Sequence, residues 1–284
     1  MIGILFLFLA VVTSSAVAMT MKVSSTRGFR LGPFLAVNYL VASLALFAGG
    51  AWWATGFASP LIWALGVFVG FMYILSLWLF NRAIAAAGLA LSTTLMRLSA
   101  TLPTLGSLFF FAERINRLQF FGIVLAFACL PLAGKTPLRI GRFKNAAQGG
   151  TIWGFLLFAV YGVTDFAFKV QSELAPMADP KAFMAIIFGT ALLLTTPQFF
   201  KGARPGSGCL LWGVVLGITN ILATYFWIRT LAHFPGSVAY PCLGIGVIAL
   251  TTLASLWLWR ERLRPSNYLF LALAGVAIVM INLG

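Results

Sequence analysis

The sequence predicts an all-α membrane protein whose ten transmembrane helices form two inverted five-helix repeats. Two observations carry that prediction. Hydrophobic residues fill 61% of the 284 positions and charged residues only 8%, a composition outside the range of ordinary soluble domains. The second half of the chain also repeats the first at a near-constant offset. Lys22 and Lys169 are 147 apart, as are Pro33 and Pro180, and Gly66-x-x-x-Gly70 recurs as Gly213-x-x-x-Gly217. After one inserted residue the offset is 148, linking Gly88 to Gly236 and Glu113-Arg114 to Glu261-Arg262. An odd number of spans per copy makes the two copies insert upside down to each other.

Taken in order, the apolar stretches run near 2–21, 32–53, 60–81, 88–111 and 117–134, forming the first repeat in residues 1–134. The second repeat, 149–284, holds 150–172, 181–199, 208–230, 236–258 and 266–283. A bilayer core needs about 20 apolar residues per helix, so ten spans use nearly the whole chain. Met1–Thr20 contains a cleavage-like Ala16-Val17-Ala18 but no charged leader, and the Lys22/Lys169 match predicts that it is retained as the first helix. Spans three and eight each put two glycines on one face, which lets helix backbones approach closely. Spans four and nine contain Pro103 and Pro241, the latter with Gly244 and Gly246. Proline removes a backbone donor and crowds the preceding turn, so both helices are expected to kink or partly unwind. Interrupted helices at matching places of two halves point to a central site. The break from Gly134 to Gln148, with Lys135, Arg139, Arg142 and Lys144, joins the repeats.

The formal charge of +14 does not indicate nucleic acid, since no basic stripe with interleaved exposed aromatics exists. The cations lie between spans. Connections 1–2, 3–4, 5–6, 7–8 and 9–10 hold thirteen Lys and Arg residues, and the others four (Arg114, Arg117, Lys181 and Arg229). That bias places both termini outside the cytoplasm. Cys129, Cys209 and Cys242 show neither disulfide nor zinc spacing and read as small buried hydrophobes.

Arg97, Asp165 and Lys169 are the charges predicted within spans rather than at their edges, and at such depth each costs about 2.5–3.5 kcal/mol on insertion scales. Asp165 and Lys169 share a helix face four residues apart, so they either neutralise each other or bind the charged groups of a ligand. Arg97 has no acid within a helical turn and draws its partner from another helix, water or substrate. Asn38, Asn220, Tyr161, Tyr225 and Tyr240 are the sparse polar companions, either lining a cavity or holding helices together. Glu113 and Glu261 sit at span ends beside Arg114 and Arg262 and read as turn and topology markers. His233 reads as a loop histidine.

The stretch from Gly88 to Phe121, with Leu-Phe-Phe-Phe-Ala-Glu-Arg-Ile-Asn-Arg-Leu-Gln, resembles the drug/metabolite transporter superfamily, in particular its EamA-type repeat. So does Gly236 to Leu269, with Leu-Trp-Leu-Trp-Arg-Glu-Arg-Leu. Lys22 and Lys169 match a lysine often seen near the end of each repeat's first helix. Ala112 and Arg260 stand where family members commonly have Gly before the Glu, and span one has no acid matching that of small multidrug exporters. The resemblance implies a secondary transporter of the inner membrane, exporting or exchanging by alternating access. A net positive cavity with one acid favours a small zwitterionic or anionic metabolite, such as an amino acid. The runner-up readings are a drug-efflux member of the superfamily and a non-transporting membrane scaffold. Expected partners are that small molecule and the lipid bilayer, with no nucleic acid and no cofactor. No catalytic or metal constellation is expected from one histidine and one intramembrane acid.

Overall fold

The computed structural model describes residues 2–50, 59–87, 96, 98–129, 150–200, 205–259 and 265–283. Among them the regular structure is helical throughout. The ten helices are α1 Ile2–Thr26, α2 Leu31–Ala48, α3 Pro60–Ala87, α4 Thr101–Phe110, α5 Arg117–Cys129, α6 Gly150–Leu174, α7 Pro180–Phe200, α8 Ser207–Leu231, α9 Gly236–Trp259 and α10 Pro265–Leu283. Five of them (α1, α2, α3, α7 and α8) contain stretches long and apolar enough to cross a membrane, and shorter apolar stretches make up α4, α5 and parts of α9 and α10. Their outward faces are greasy: Phe109, Phe110 and Phe200 are each more than three-quarters exposed. Such surface is unfavourable in water and suited to hydrocarbon.

Local chemistry fixes the helix ends. Pro60, Pro180 and Pro265 occupy first helical positions, where the missing N–H costs nothing and the fixed φ already suits the helix. The Asp179 carboxylate accepts the Lys181 N–H at 2.9 Å, capping α7. Asn116 and Gln119 exchange side chain-to-backbone bonds of 2.8 and 3.1 Å at the start of α5, a reciprocal cap. At the end of α2 the chain turns through Gly50 at φ 74°, a left-handed conformation that costs glycine little.

The described chain divides into two compact units, and each takes helices from both sequence halves. One comprises residues 1–74 and 170–233, the other 75–169 and 234–284. In the first unit α1 lies along α8, and α2 packs against both α7 and α8. Gly32 at the start of α2 meets Gln198 near the end of α7, while Lys181 Nζ at the start of α7 is 3.2 Å from the Gly49 carbonyl at the end of α2. α2 and α7, equivalent at the 147 offset, therefore run antiparallel.

The glycine pairs mark two matching contacts in this unit. A Cβ on Gly66 would lie 2.7 Å from the Ile186 side chain, and one on Gly70 would lie 2.7 Å from both the Ile187 carbonyl and Thr190 Cβ. A Cβ on Gly213 would meet Val37 at 2.8 Å, and one on Gly217 would meet the Asn38 carbonyl and Val41 Cβ at 2.8 Å. Each pair thus faces the i, i+3, i+4, i+7 stripe of the other half's second helix, with a carbonyl and a β-branched side chain at the second glycine. Contact order rises together along both helices, so α3 runs parallel to α7 and α8 parallel to α2. The register of the two stripes differs by two residues from the 147 offset: Val37 and Ile186 are 149 apart.

In the second unit α5 packs along α10, where Gly122 meets Met280 and Ile281, and α4 packs against α9. Ser107 near the end of α4 touches Gly236 at the start of α9. Ala100, just before α4, shares an apolar recess with Pro241, Gly244 and Ile245. These repeat-equivalent helices also run antiparallel. The predicted interruption of span four falls at Ser99–Ala100, a turn between helical Leu98 and α4. Pro103 consequently sits in the first turn of α4, where it does not break a helix interior, whereas Pro241 lies inside α9. Gly88 and most of the residues from 89 to 97 lie outside the described residues.

Candidate functional site

The charged centre of the second unit is built where three elements converge: the end of α6, the 111–116 connection after α4, and the start of α9. α6 is held tightly against α4. A Cβ on Gly162 would lie 2.3 Å from Leu102, and one on Gly106 would lie 2.5 Å from Phe166. Two glycines on facing helices thus bring the backbones together and carry Lys169, two turns beyond Gly162, to the loop at the end of α4.

Lys169 is 1% exposed, and its ammonium lies 2.6 Å from Glu113 Oε1. The same carboxylate closes the start of α9. Oε1 accepts the Gly236 N–H at 2.8 Å, and Oε2 accepts the Ser237 N–H at 2.9 Å and its hydroxyl at 2.6 Å. Phe111 presents its ring 5.6 Å from the ammonium. Both carboxylate oxygens are therefore engaged by donors, on the end of a helix whose exposed N–H groups favour negative charge. Burial acts to raise the Glu113 pKa, but the bonds from Lys169, Ser237 and Gly236 outweigh it and hold the carboxyl below its ordinary value. A buried lysine paired with a hydrogen-bonded carboxylate meets the rule that buried charge is compensated.

Two details show how closely this cradle is fitted. Ser107 is fully buried, and its hydroxyl has no hydrogen-bond partner among the described residues. A Cβ on Gly236 would come within 2.2 Å of that hydroxyl and 3.1 Å of Lys169 Cε, so any larger residue there would push the Ser107 hydroxyl aside. Ala112, immediately before Glu113, has φ 50°, the left-handed region that a Cβ disfavours.

The remaining sequence-predicted site residues fall in separate places. Arg97 lies outside the described residues, as do Glu261 and Arg262. Asp165 is half-buried on α6, and its carbonyl accepts the Tyr240 hydroxyl from α9. Tyr161 packs with Leu79, Leu157 and Trp153 in an apolar cluster. In the other unit, Asn220 of α8 donates to Asn38 of α2 at 3.3 Å, and Tyr225 accepts a 3.3 Å bond from Arg229 on its own helix. Asn38 is 1% exposed, and its amide nitrogen lacks a partner among the described residues. His233 is exposed, with Nδ1 2.8 Å from the Arg229 carbonyl. No cluster of three metal-ligating side chains occurs among the described residues.

Glu113, Ser237 and Ser107 are the residues that sequence reasoning missed as members of this centre. A signal existed. Lysine recurs at positions 22 and 169 and glutamate at 113 and 261, and a lysine and an acid duplicated together suggest a pair.

No protein-family model matches the chain. An uncharacterized protein of Haemophilus influenzae is 27% identical over 281 residues, which is 93% of this chain and 92% of that protein. The probable 4-amino-4-deoxy-L-arabinose-phosphoundecaprenol flippase subunit ArnE of Erwinia tasmaniensis is 44% identical over 82 residues, 28% of this chain and 70% of the subunit. The subunit of the same name from Sodalis glossinidius is 36% identical over 108 residues, 34% of this chain and 96% of the subunit. A protein crystal structure with 18% identity superposes with a TM-score of 0.76, covering 99% of this chain and 97% of that one, a likeness of fold.

Proposed function

This chain belongs to the drug/metabolite transporter family of the ArnE flippase subunits, and we propose that it is a secondary transporter moving a small zwitterionic or anionic solute across the inner membrane. The observation that carries the reading is the antiparallel packing of repeat-equivalent helices, α2 with α7 and α4 with α9. Opposed copies of one helix set supply two related conformations of similar energy, one open to each side, which is what alternating access requires. The EamA-type repeat, with ten spans in two inverted halves, is the architecture this supports. Energy comes from a gradient or from exchange, and no catalytic chemistry is assigned.

The substrate class follows from charge. With Lys169 balanced by Glu113, the predicted interior also holds one cation, Arg97, and one acid, Asp165, a combination that suits an anionic group accompanied by an amine. The substrate named for the ArnE relatives also carries an amine and a phosphate, as the headgroup of a lipid. Both water-soluble amino acids and lipid-linked amino sugars therefore belong in the test. Purified protein in proteoliposomes should accelerate counterflow of one of these classes above protein-free vesicles. Arg97→Gln should abolish that flux while leaving protein level in the membrane near normal. If neither class moves, the transporter reading gives way to a non-transporting scaffold.

A further inference from the structure

The Glu113 carboxylate is bound as a ligand is bound. Four donors converge on it: two backbone N–H groups at the start of a 24-residue helix, a hydroxyl and a buried ammonium, all within 2.9 Å. A fifth group, the buried Ser107 hydroxyl, is pressed against Gly236 and has no hydrogen-bond partner among the described residues. These donors come from α4, α6 and α9, while the carboxylate comes from the connection after α4. The connection holds it through a left-handed alanine at position 112, a backbone state that costs free energy in a residue with a Cβ.

We propose that the start of α9, with Lys169, Ser237 and Ser107, is a carboxylate-binding subsite that Glu113 occupies as a tethered ligand and yields to the carboxylate of an incoming substrate. This rests on the transporter reading above and names where the substrate's anionic end is held. The exchange replaces one carboxylate with another, so Lys169 keeps a counter-charge throughout and never stands alone at depth. The matched engagement of two oxygens, one by Gly236 and Lys169 and the other by Ser237 alone, fits a planar carboxylate. Glu113 remains ionised near neutral pH, so it competes as an anion at all times and gives the site a built-in threshold against weak ligands.

The test separates the subsite from transport by reading stability alone. Glu113→Ala in the full-length detergent-purified protein should melt below wild type. Acetate or formate should restore most of the lost Tm, while chloride at equal ionic strength should not. Wild type, with its site filled, should respond little to either salt. Removing the ammonium as well, in Glu113→Ala with Lys169→Met, should abolish the response to acetate. If Glu113→Ala does not accumulate, Glu113→Ser carries the same comparison, because it too vacates the site and leaves Lys169 without its carboxylate. An equal response to acetate and chloride would overturn the proposal, as would acetate rescue that survives loss of Lys169. Rescue by inorganic phosphate but not acetate would overturn the carboxylate assignment. A chain that shows rescue yet transports nothing would instead remove the transporter reading and leave the subsite standing.

Discussion

At the scale of single residues, Ala112 and Glu113 make opposite contributions to one loop. Ala112 holds φ 50°, a conformation costing roughly 1–2 kcal/mol for an L-residue with a Cβ. Ala112→Gly should remove that cost and raise the Tm of the purified protein by a few degrees, the gain being reduced by the greater freedom of glycine in the unfolded chain. Glu113 has a depressed pKa in the folded state. A depressed carboxylate stabilises above its unfolded value and loses that contribution as pH falls through the folded value. The Tm difference between wild type and Glu113→Gln should therefore be constant near neutrality. It should begin to shrink below the ordinary carboxylate range and vanish in stronger acid. A difference that narrows already between pH 7 and pH 6 would contradict the cited shift. The sequence revealed the cost of these charges but not their partners. Reading along one helix offers Lys169 only Asp165 and Glu173, each four residues away, whereas the bond to Glu113 depends on how α6 meets the end of α4. Local spacing has no access to that packing.

Elements show the reverse balance. Helix starts were legible because proline, glycine and capping residues act within a few positions of themselves: the predicted starts at 60, 117 and 236 coincide with those of α3, α5 and α9. The small-residue faces of α3 and α8 were legible as contact faces, but their partners were not, since nothing in a glycine pair specifies what meets it. The observed contacts make a sharp prediction. Gly70→Val must displace the α7 backbone, because the Ile187 carbonyl is only 2.7 Å from where its Cβ would lie. Overpacking of this kind costs roughly 1–3 kcal/mol, so a lower Tm and yield are expected. Gly189→Ala, whose Cβ would have nothing within 4 Å, should be neutral or slightly stabilising, since alanine favours a helix by about 1 kcal/mol over glycine. Equal loss in both variants would show that the tight contact does not govern stability.

For the whole molecule, the composition and the repeat revealed the helical class, and the 147 offset paired α2 with α7, which run antiparallel. It did not reveal that each compact unit draws helices from both halves. A repeat records ancestry along the chain, while compactness is decided by which apolar and small-residue faces fit, and those faces here match across the halves. Orientation remains a property of the loops. Thirteen Lys and Arg in one set of connections against four in the other predict both termini outside the cytoplasm. Reporter fusions at Gly284 should be active outside and silent in the cytoplasm, and the opposite result would require an odd change in the span count.

The crossed glycine contacts carry a further consequence for biosynthesis. A nascent chain delivers α2 and α3 to the bilayer before α7 and α8 have been made, so Gly66 and Gly70 first meet lipid tails or a chaperone. The partners that complete these faces, from Phe183 to Thr190, arrive only with the second half. The two halves synthesised as separate polypeptides should accordingly be degraded when made singly and persist when made together, each acting as the template on which the other matures.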